Sequence, residues 1–536
     1  MKPKTLLSEP GTVKEAVVWA VALILVLLAL QSGRTWWRLR HIPGPFLASL
    51  TDLYRINWVW SKQAHLKLQQ CHKRYGKVVR IGPNTVSFSD PAAVPTVYPM
   101  RAGIPKSNFY VTLRPYTSGQ ALHAVFNTTE EDILKQIKPP IAPLFSVSSA
   151  ATLEPLVDTV LECIHTRFDE KFADKEQVFD MGQWLQFFAF DVMGSITFSK
   201  RYGFLDEGRD VGGMLGTIVD FMRAAAPVRN SHSLLLLQIW HAEHTKMTQS
   251  YLLDKFLRKN IIADTIRRHI GATPSLTILA FVARAIKEKR EALESGNESK
   301  AEAMHTDYLT RYLALQRSKP SIPQWAPTAW TFSNVIAGSD SVGTTMRTLL
   351  FNLLSYPHTL SKLQSELSAA GLSRPYPRYA EVRDLPYLDA CVQEAIRVHP
   401  PFALPLERVV PPEGLSVLGT WLPGGSVVGG SPYVVNRDVG LYGEDAEFWR
   451  PERWLGVDAA LRRDMENSML TFGAGRRICL GRHVAFLEIK KLIPFLVLTY
   501  NIRLVDREKF ETENSWFFFQ RNFNTQIRKA GGIETL

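Results

Sequence analysis

The sequence predicts a mainly α-helical protein with small β-sheets, lying behind a single N-terminal transmembrane helix. Three observations support this fold class. An apolar run stands near the N-terminus, helix-like periodicity dominates from about residue 150 to 400, and short β-rich runs cluster at residues 77–88 and 405–433. Because neither an internal repeat nor a second linker divides the remainder, one large domain is expected over residues 49–536.

The N-terminal segment, residues 1–33, has the composition of a membrane anchor. The run Ala16–Leu30 is 15 residues without a polar side chain, and its flanks extend it to roughly the 20 residues that cross a bilayer. Arg34, Arg38 and Arg40 follow directly, so the positive-inside rule leaves the bulk of the chain in the cytosol. A cleaved signal peptide is the alternative, but its basic cluster would precede the apolar run.

The next elements follow in order along the chain. Residues 34–48 are basic and contain the sequence HIPGPF, which predicts a hinge. A helix over residues 61–76 is predicted to end at Gly76, and residues 77–88 are predicted to form a hairpin around Gly-Pro-Asn. The charged segment 287–305 is most simply a solvated surface.

The charge balance excludes some functions. The chain has 63 Lys and Arg against 51 Asp and Glu, but these are scattered and form no dense basic tract, which argues against nucleic-acid binding. A membrane surface or an acidic protein partner fits a net charge of +12 better. The 4 cysteines are far apart, which indicates a reducing compartment rather than a disulfide framework.

The sequence LTFGAGRRICLGRH, residues 470–483, carries the strongest chemical signal. Its cysteine stands among glycines and arginines at the start of an apolar helix, surroundings that favour the thiolate. Glycines let the backbone pass close to a flat ligand, and a soft thiolate suits haem iron. The pattern F-x-x-G-x-R-x-C-x-G consists of Phe472, Gly475, Arg477, Cys479 and Gly481.

Two other interpretations of this loop are weaker. A dinucleotide-binding loop beginning at Gly473 would require a third glycine where Ile478 stands. Half of a zinc site could be made by Cys479 and His483, but no second ligand pair of matching spacing is evident.

With this loop the chain resembles the cytochromes P-450, the haem-thiolate monooxygenases, and the resemblance extends in order over most of the chain. It implies the cytochrome P-450 fold, with haem b as the cofactor and Cys479 as the axial ligand of its iron. The loop residues Phe472, Gly475, Arg477 and Gly481 would contact the haem. The sequences RPERWL and GGSPYVVNRD look like the fungal pisatin-demethylase-like branch, which implies a microsomal enzyme anchored in the endoplasmic reticulum membrane.

A second motif with a structural role precedes the cysteine loop. Glu394 and Arg397 in CVQEAIRVHP lie three residues apart and therefore share one helical face. The resemblance implies that both bond to Arg453 of PERW, and that this trio fixes the segment that carries the cysteine. It assigns the trio no catalytic step.

The sequence NVIAGSDSVGTT, residues 334–345, resembles the long central helix of the family, with its motif A-G-x-D-T-T. The resemblance implies that this helix crosses the distal face of the haem. Ala337 and Gly338 would open a groove for dioxygen, and Asp340 with a neighbouring hydroxyl would deliver protons there.

The identity of that hydroxyl is open. Ser341 stands where the family usually has threonine, and Thr344 and Thr345 follow one turn later. A buried helix whose hydroxyls bond to backbone carbonyls is the alternative interpretation.

Haem carboxylates need cations, and the resemblance points to three candidate residues. Arg477 and Arg408 match directly. Lys138 falls near the motif W-x-x-x-R, but Leu134 replaces the aromatic residue and lysine the arginine, so a plain surface charge is the alternative.

The implied reaction is insertion of one oxygen atom from O2 into an apolar small molecule, as a hydroxylation, demethylation or epoxidation in fungal secondary metabolism. Substrate-facing segments would be residues 105–125, the start of the central helix, 400–405 and 515–520, where Phe402, Leu404 and Phe517–Phe519 predict an apolar pocket. The alternatives are a haem enzyme that rearranges a pre-oxidised substrate without O2, and a non-catalytic haem sensor or electron carrier.

The chain shows no flavin or NADPH domain, so the implied partners are an NADPH–cytochrome P-450 reductase and membrane lipid. An acidic reductase surface is expected to meet basic residues that cluster near the cysteine in sequence. These residues are Arg476, Arg482, Lys490 and Lys491.

Overall fold

The computed structural model describes residues 33–117, 120–229, 275–294, 307–514 and 516–531, with a few isolated positions between 15 and 30. Most of the predicted anchor run, Ala16–Leu30, lies outside the described residues, as does the end of the charged segment, 295–305. Within the described ranges, no helix is both long and apolar enough to cross a membrane.

Helices make up most of the described fold. They are α1 (Phe46–Leu50), α2 (Leu53–Trp60), α3 (Ala64–Tyr75), α4 (Val94–Val97), α5 (Glu131–Ile137), α6 (Val147–Ala151), α7 (Glu154–Lys171), α8 (Met181–Phe198), α9 (Phe204–Glu207), α10 (Met214–Arg229), α11 (Ser275–Glu294), α12 (Tyr308–Ser318), α13 (Ala326–Ser355), α14 (Pro357–Ala369), α15 (Tyr379–Val382), α16 (Pro386–Val398), α17 (Pro432–Val435), α18 (Val439–Tyr442), α19 (Ala459–Ser468) and α20 (Arg482–Thr499).

The strands are short and form several small sheets. They are β1 (Val78–Gly82), β2 (Thr85–Phe88), β3 (Tyr116–Thr117), β4 (Gln120–Ala121), β5 (Phe179–Asp180), β6 (Arg408–Val409), β7 (Leu415–Val417), β8 (Thr420–Leu422), β9 (Val427–Gly430), β10 (Tyr500–Leu504), β11 (Glu511–Asn514), β12 (Phe518–Arg521) and β13 (Asn524–Lys529). The largest sheet has the order β1-β2-β9-β6, and a second has the order β10-β13-β5. The other three sheets are two-stranded hairpins.

Helix α13 forms the centre of the fold. It spans 30 residues and packs along α8, which is buried on nearly all sides and correspondingly apolar. Helix α20, whose interior residues are also buried, packs against another part of α13. Because the cysteine loop directly precedes α20, this packing brings the loop and the central-helix motif to the same interior.

The predicted mainly helical architecture with small sheets is confirmed. The helix predicted over 61–76 is α3, and it ends at Gly76, whose φ of 100° only glycine adopts readily. The predicted hairpin is β1–β2, which pair antiparallel. The β-rich runs after residue 405 form β6 to β9, and β9 joins the hairpin by pairing parallel to β2.

The segment predicted as a hinge is hydrogen-bonded to the domain. Arg80, buried in β1, donates to the carbonyls of Thr35, Trp36 and Ser49. Its own amide donates to the carbonyl of Pro43 over 2.8 Å. These bonds hold residues 35–49 against the first sheet, while the boundaries of the anchor and the hinge stay a prediction.

Candidate functional site

The cysteine loop is folded tightly against a neighbouring segment. The Cys479 amide donates to the carbonyl of Phe472 over 2.8 Å, which closes the loop. Gly475 has a φ of 60°, and a Cβ at this position would lie 1.9 Å from the carbonyl oxygen of Tyr98. Glycine is therefore required at 475 both by the backbone conformation and by the close contact.

Cys479 lies within the fold, and its accessible surface lines a large cavity. Burial within the fold raises the pKa of this thiol, although the backbone amides of Gly481 and Arg482 and the charges of Arg482 and Lys138 act in the opposite direction. The positive groups of the loop therefore act in the predicted direction, towards the thiolate, while desolvation of the sulfur acts against them. A metal ion coordinated to the sulfur would supply the missing stabilisation.

The cavity encloses about 2570 Å³ of space not filled by protein atoms, open solvent at its mouth included. Its walls are predominantly apolar, and the predicted substrate-facing segments contribute to them through residues such as Phe109, Tyr110, Phe402 and Phe517. Three residues that were expected in the pocket do not line the cavity, namely Leu404, Phe518 and Phe519.

Positive charge gathers at one end of this cavity. The two arginines predicted to bind the haem carboxylates, Arg408 and Arg477, both line the cavity. Arg477 is paired with Glu131 over 2.7 Å and also donates to the carbonyl of Thr128 over 3.1 Å. Arg408 donates to the backbone carbonyl of Glu407 over 2.9 Å.

Two lysines extend this cationic end. Lys138 is not among the lining residues and donates from Nζ to the carbonyl of Arg476. Lys106, which the sequence did not single out, lines the cavity and donates to the carbonyl of Phe126 over 2.7 Å. Burial, together with repulsion from Arg408, Arg477 and Lys138, lowers the pKa of Lys106 well below its ordinary value.

These features fit a haem. Among the described residues, no carboxylate lies within ion-pair distance of Arg408 or Lys106, so both cations are available to an acidic group of a ligand. One cavity is lined both by Cys479 and by Ala337 and Ser341 of α13, so a prosthetic group held by the sulfur would share this space with a substrate. A sulfur ligand on one wall completes the donor set that a haem-thiolate site requires.

The central-helix motif lies on the wall formed by α13. Ala337 faces the cavity, whereas a Cβ on Gly338 would lie 2.3 Å from Sδ of Met193 in α8. A side chain at 338 would therefore displace the Met193 side chain, so the glycine leaves room for that residue in addition to any groove for dioxygen. This packing role was not predicted from the sequence.

The hydroxyls of the motif bond to their own helix. Ser341 Oγ donates to the carbonyl of Ala337 over 2.6 Å, and Thr345 Oγ1 donates to the carbonyl of Ser341 over 2.9 Å. Ser341 and Thr345 both line the cavity. Thr344 is buried and is not among the lining residues, so the geometry favours Thr345 over Thr344 as a second hydroxyl.

Asp340 lies between the cavity and α8. Its Oδ1 accepts a hydrogen bond from Nε2 of Gln186, and its Oδ2 has no partner among the described residues. Burial raises the pKa of Asp340 to about 6, against the opposing charge of Arg347 and the Gln186 hydrogen bond. A carboxyl group with this pKa exchanges protons readily near neutral pH.

Glu394, Arg397 and Arg453 are brought together in the core. Glu394 is fully buried and accepts from Nε and Nη2 of Arg397, both over 2.8 Å, and from Nε of Arg453 over 3.0 Å. Arg453 reaches onward to the Asp445 carboxylate over 2.9 Å, and Arg397 to the carbonyl of Asn436 over 3.0 Å. These contacts tie α16 to the segments that lead to the cysteine loop, with no atom of the trio among the cavity-lining residues.

The expectation that Lys490 and Lys491 form part of a docking surface is wrong. Lys490 is buried and paired with Asp389 over 2.7 Å. Lys491 is fully buried and paired with Glu154 and Asp158, each over 2.7 Å. Both lysines point from α20 into the protein, where their charges are neutralised.

Comparisons with known proteins agree with this geometry. A family model described as cytochrome P450 matches residues 42–527. The chain is 62% identical over 512 residues to the cytochrome P450 monooxygenase mfmA of Annulohypoxylon moriforme, covering 95% of this chain and 96% of that protein. It is 46% identical over 511 residues to the cytochrome P450 monooxygenase pkfB of Emericella nidulans, covering 95% of each. It is also 46% identical over 527 residues to the cytochrome P450 monooxygenase mpaDE' of Penicillium brevicompactum, covering 97% of this chain and 59% of that protein.

Proposed function

Because the chain belongs to the cytochrome P450 family and is a haem-thiolate monooxygenase, we propose that it inserts one oxygen atom from O2 into an apolar small molecule. The observation that carries the proposal is that the Cys479 thiol and the Asp340–Ser341 pair line the same apolar cavity. The proposed sulfur ligand and the proposed proton donor thus line one space that can hold a substrate.

The residues of the site have separate roles in this proposal. Cys479 is the ligand, and a haem held by thiolate supplies O–O bond cleavage when it is bound. Arg408, Arg477 and Lys106 bind the haem carboxylates at the cationic end of the cavity, and Lys138 donates to the carbonyl of Arg476 beside them. The apolar walls exclude water from the reacting end and orient the substrate.

Proton supply is assigned to Asp340, with Ser341 beside it as a hydrogen-bond acceptor. With a pKa near 6, Asp340 can take a proton from solvent and release it towards the cavity. Ser341 directs its own proton to the carbonyl of Ala337, so its lone pairs are what it presents to the cavity. Thr345 holds the next position along the same wall.

The cellular setting completes the proposal. The predicted anchor in residues 1–33 would hold the enzyme in the endoplasmic reticulum membrane, where an NADPH–cytochrome P450 reductase supplies the electrons. Arg476 and Arg482, the partly exposed arginines beside the cysteine, are the remaining candidates for the reductase contact. The fungal relatives favour a tailoring step in secondary metabolism, and the RPERWL sequence favours the pisatin-demethylase-like branch.

A spectroscopic and an isotopic measurement together test this function. The reduced, CO-bound protein should show the long-wavelength Soret band of thiolate ligation, and Cys479→Ser should abolish it. The matched control is Cys391→Ser, because Cys391 is buried and is not among the cavity-lining residues. A Cys479→Ser protein with an unchanged band would refute the ligand assignment.

The isotopic arm uses apolar compounds chosen because they shift the Soret band of the oxidised protein. With reductase, NADPH and ¹⁸O2, one labelled oxygen atom should appear in the product. An unlabelled, rearranged product that forms without reductase would support the O2-independent alternative instead. A compound that binds but is never converted under these conditions would point to a haem sensor or electron carrier.

A further inference from the structure

A polar contact interrupts the apolar packing between α8 and α13. Gln186 is a polar residue, yet it is only 5% exposed and its neighbours on α8 are apolar and buried. Its amide Nε2 donates to Oδ1 of Asp340 on α13. A buried amide in an apolar helix pair needs such a partner, so Gln186 and Asp340 hold one another in place.

The backbone of both helices is shaped to accommodate this contact. A Cβ at Gly343 on α13 would lie 2.6 Å from Oε1 of Gln186, so only glycine leaves room for the amide. One turn further, Arg347 donates from Nε to the carbonyl of Gly182 on α8 over 2.7 Å. Asp340, Gln186 and Arg347 thus form a polar seam across the helix interface, and Asp180 at the start of α8 lies close enough to act on the Arg347 charge.

The orientation of the amide determines which carboxylate oxygen can exchange a proton. Gln186 must present its NH2 group to Asp340, because the carbonyl oxygen of the amide would repel an ionised carboxylate within hydrogen-bond reach. Oδ1 is therefore occupied as an acceptor, and Oδ2 is buried without a partner among the described residues. Proton uptake and release are thereby directed to Oδ2.

We propose that Gln186 is a positioning residue for proton delivery, which fixes Asp340 so that its proton is exchanged through Oδ2, the carboxylate oxygen that Gln186 leaves without a bond. The inference rests on the proposed function, since it assigns Asp340 the role of proton donor. Gln186 touches neither substrate nor cofactor and acts only through Asp340.

The electrostatic surroundings make this role measurable. The influences on the pKa of Asp340 are burial, the charge of Arg347 on its own helix, and the hydrogen bond from Gln186 on the facing helix. The last two stabilise the ionised form. Removing the Gln186 donor therefore raises the pKa further above its present value of about 6.

The first test replaces Gln186 by methionine, which has a similar length and no donor. The midpoint of the pH dependence of product formed per NADPH should move upward by about one pH unit, the effect of losing one hydrogen bond to a carboxylate. Gln183→Met is the matched control, because Gln183 lies on the exposed side of the same helix. Its midpoint should equal that of the wild type.

A second readout does not depend on turnover. The infrared carbonyl band of protonated Asp340, identified by its loss in Asp340→Asn, should titrate at a higher pH in Gln186→Met than in the wild type. Gly343→Ala should move the band in the same direction, because its methyl group displaces the Gln186 amide. This second variant keeps the inference testable if Gln186→Met folds poorly.

The outcomes separate the inference from the proposed function. If Gln186→Met keeps the thiolate Soret band and loses turnover equally at every pH, with the infrared band unmoved, Gln186 is merely structural and the inference is overturned. If the wild type itself lacks the thiolate Soret band, the proposed function is overturned, and the role of Gln186 with it.

Discussion

Neutralising Glu394 should destabilise the whole domain while leaving the cavity intact. Its carboxylate is fully buried and accepts hydrogen bonds from Arg397, Arg453, the Trp454 indole and the Arg450 amide. In Glu394→Gln the buried guanidinium groups lose their counter-charge, and an amide NH2 group faces other donors. Breaking a buried ion pair in this way costs about 3–5 kcal/mol.

The expected shift in melting temperature follows from the size of the chain. An unfolding entropy of about 2.1 cal/mol/K per residue gives about 1.1 kcal/mol/K for 536 residues. The loss therefore lowers the Tm by about 3–5 °C, which scanning calorimetry resolves. Glu413→Gln is the control, because Glu413 is exposed and a surface substitution changes stability by no more than about 0.5 kcal/mol.

The same residue gives the prediction a pH signature. Burial alone would raise the pKa of Glu394, but the hydrogen bond and charge of Arg397 and the charge of Arg453 outweigh it and lower the pKa. The stabilisation is therefore present above the unfolded value of about 4.3 and is lost as the pH falls through the lower folded value. A Glu394→Gln protein that melts within 1 °C of the wild type at pH 7 would refute this account of the trio.

Substitutions at two further residues test the roles assigned to buried and cavity-facing groups. Lys491→Met should lower stability by about 3 kcal/mol, because it leaves the carboxylates of Glu154 and Asp158 without their buried counter-charge, and it should leave the reductase concentration at half-maximal turnover unchanged. Thermal unfolding and a reductase titration measure the two effects, and weakened reductase binding without destabilisation would contradict them. Ser341→Ala should divert electrons from product into peroxide by about 10²-fold or more, whereas Ser341→Thr should keep product formation. The amounts of product and peroxide formed per NADPH measure this effect. Unchanged coupling in Ser341→Ala would assign the role of the cavity-facing hydroxyl to Thr345 instead.

The fold and the cysteine loop could be predicted because their information is local. Gly475 stands four residues before the cysteine, and its positive φ explains why a glycine is needed at this place in the loop. Hydrophobic periodicity and turn residues likewise predicted α3 and the β1–β2 hairpin without any knowledge of distant contacts.

The environment of charged groups could not be predicted, because it depends on residues far away in the chain. Lys490 and Lys491 appear as a basic pair in sequence, and nothing there shows that Asp389 and Glu154 neutralise them in the core. Lys106 carries no sequence signal at all, and it enters the cationic end of the cavity only because of how the chain folds.

The hydrogen bonds of the central helix suggest different roles for Asp340 and Ser341. A serine hydroxyl has one proton, and Ser341 commits it to the carbonyl of Ala337 over 2.6 Å. What it offers the cavity is therefore a pair of acceptor lone pairs, which can orient a donor but cannot supply a proton without breaking that bond. Asp340, which has a pKa near 6 and an unpartnered Oδ2 among the described residues, is the adjacent group able to supply one. We therefore expect the serine at 341 to preserve the role of the family's usual threonine, because orientation by a lone pair requires the hydroxyl and not the methyl group.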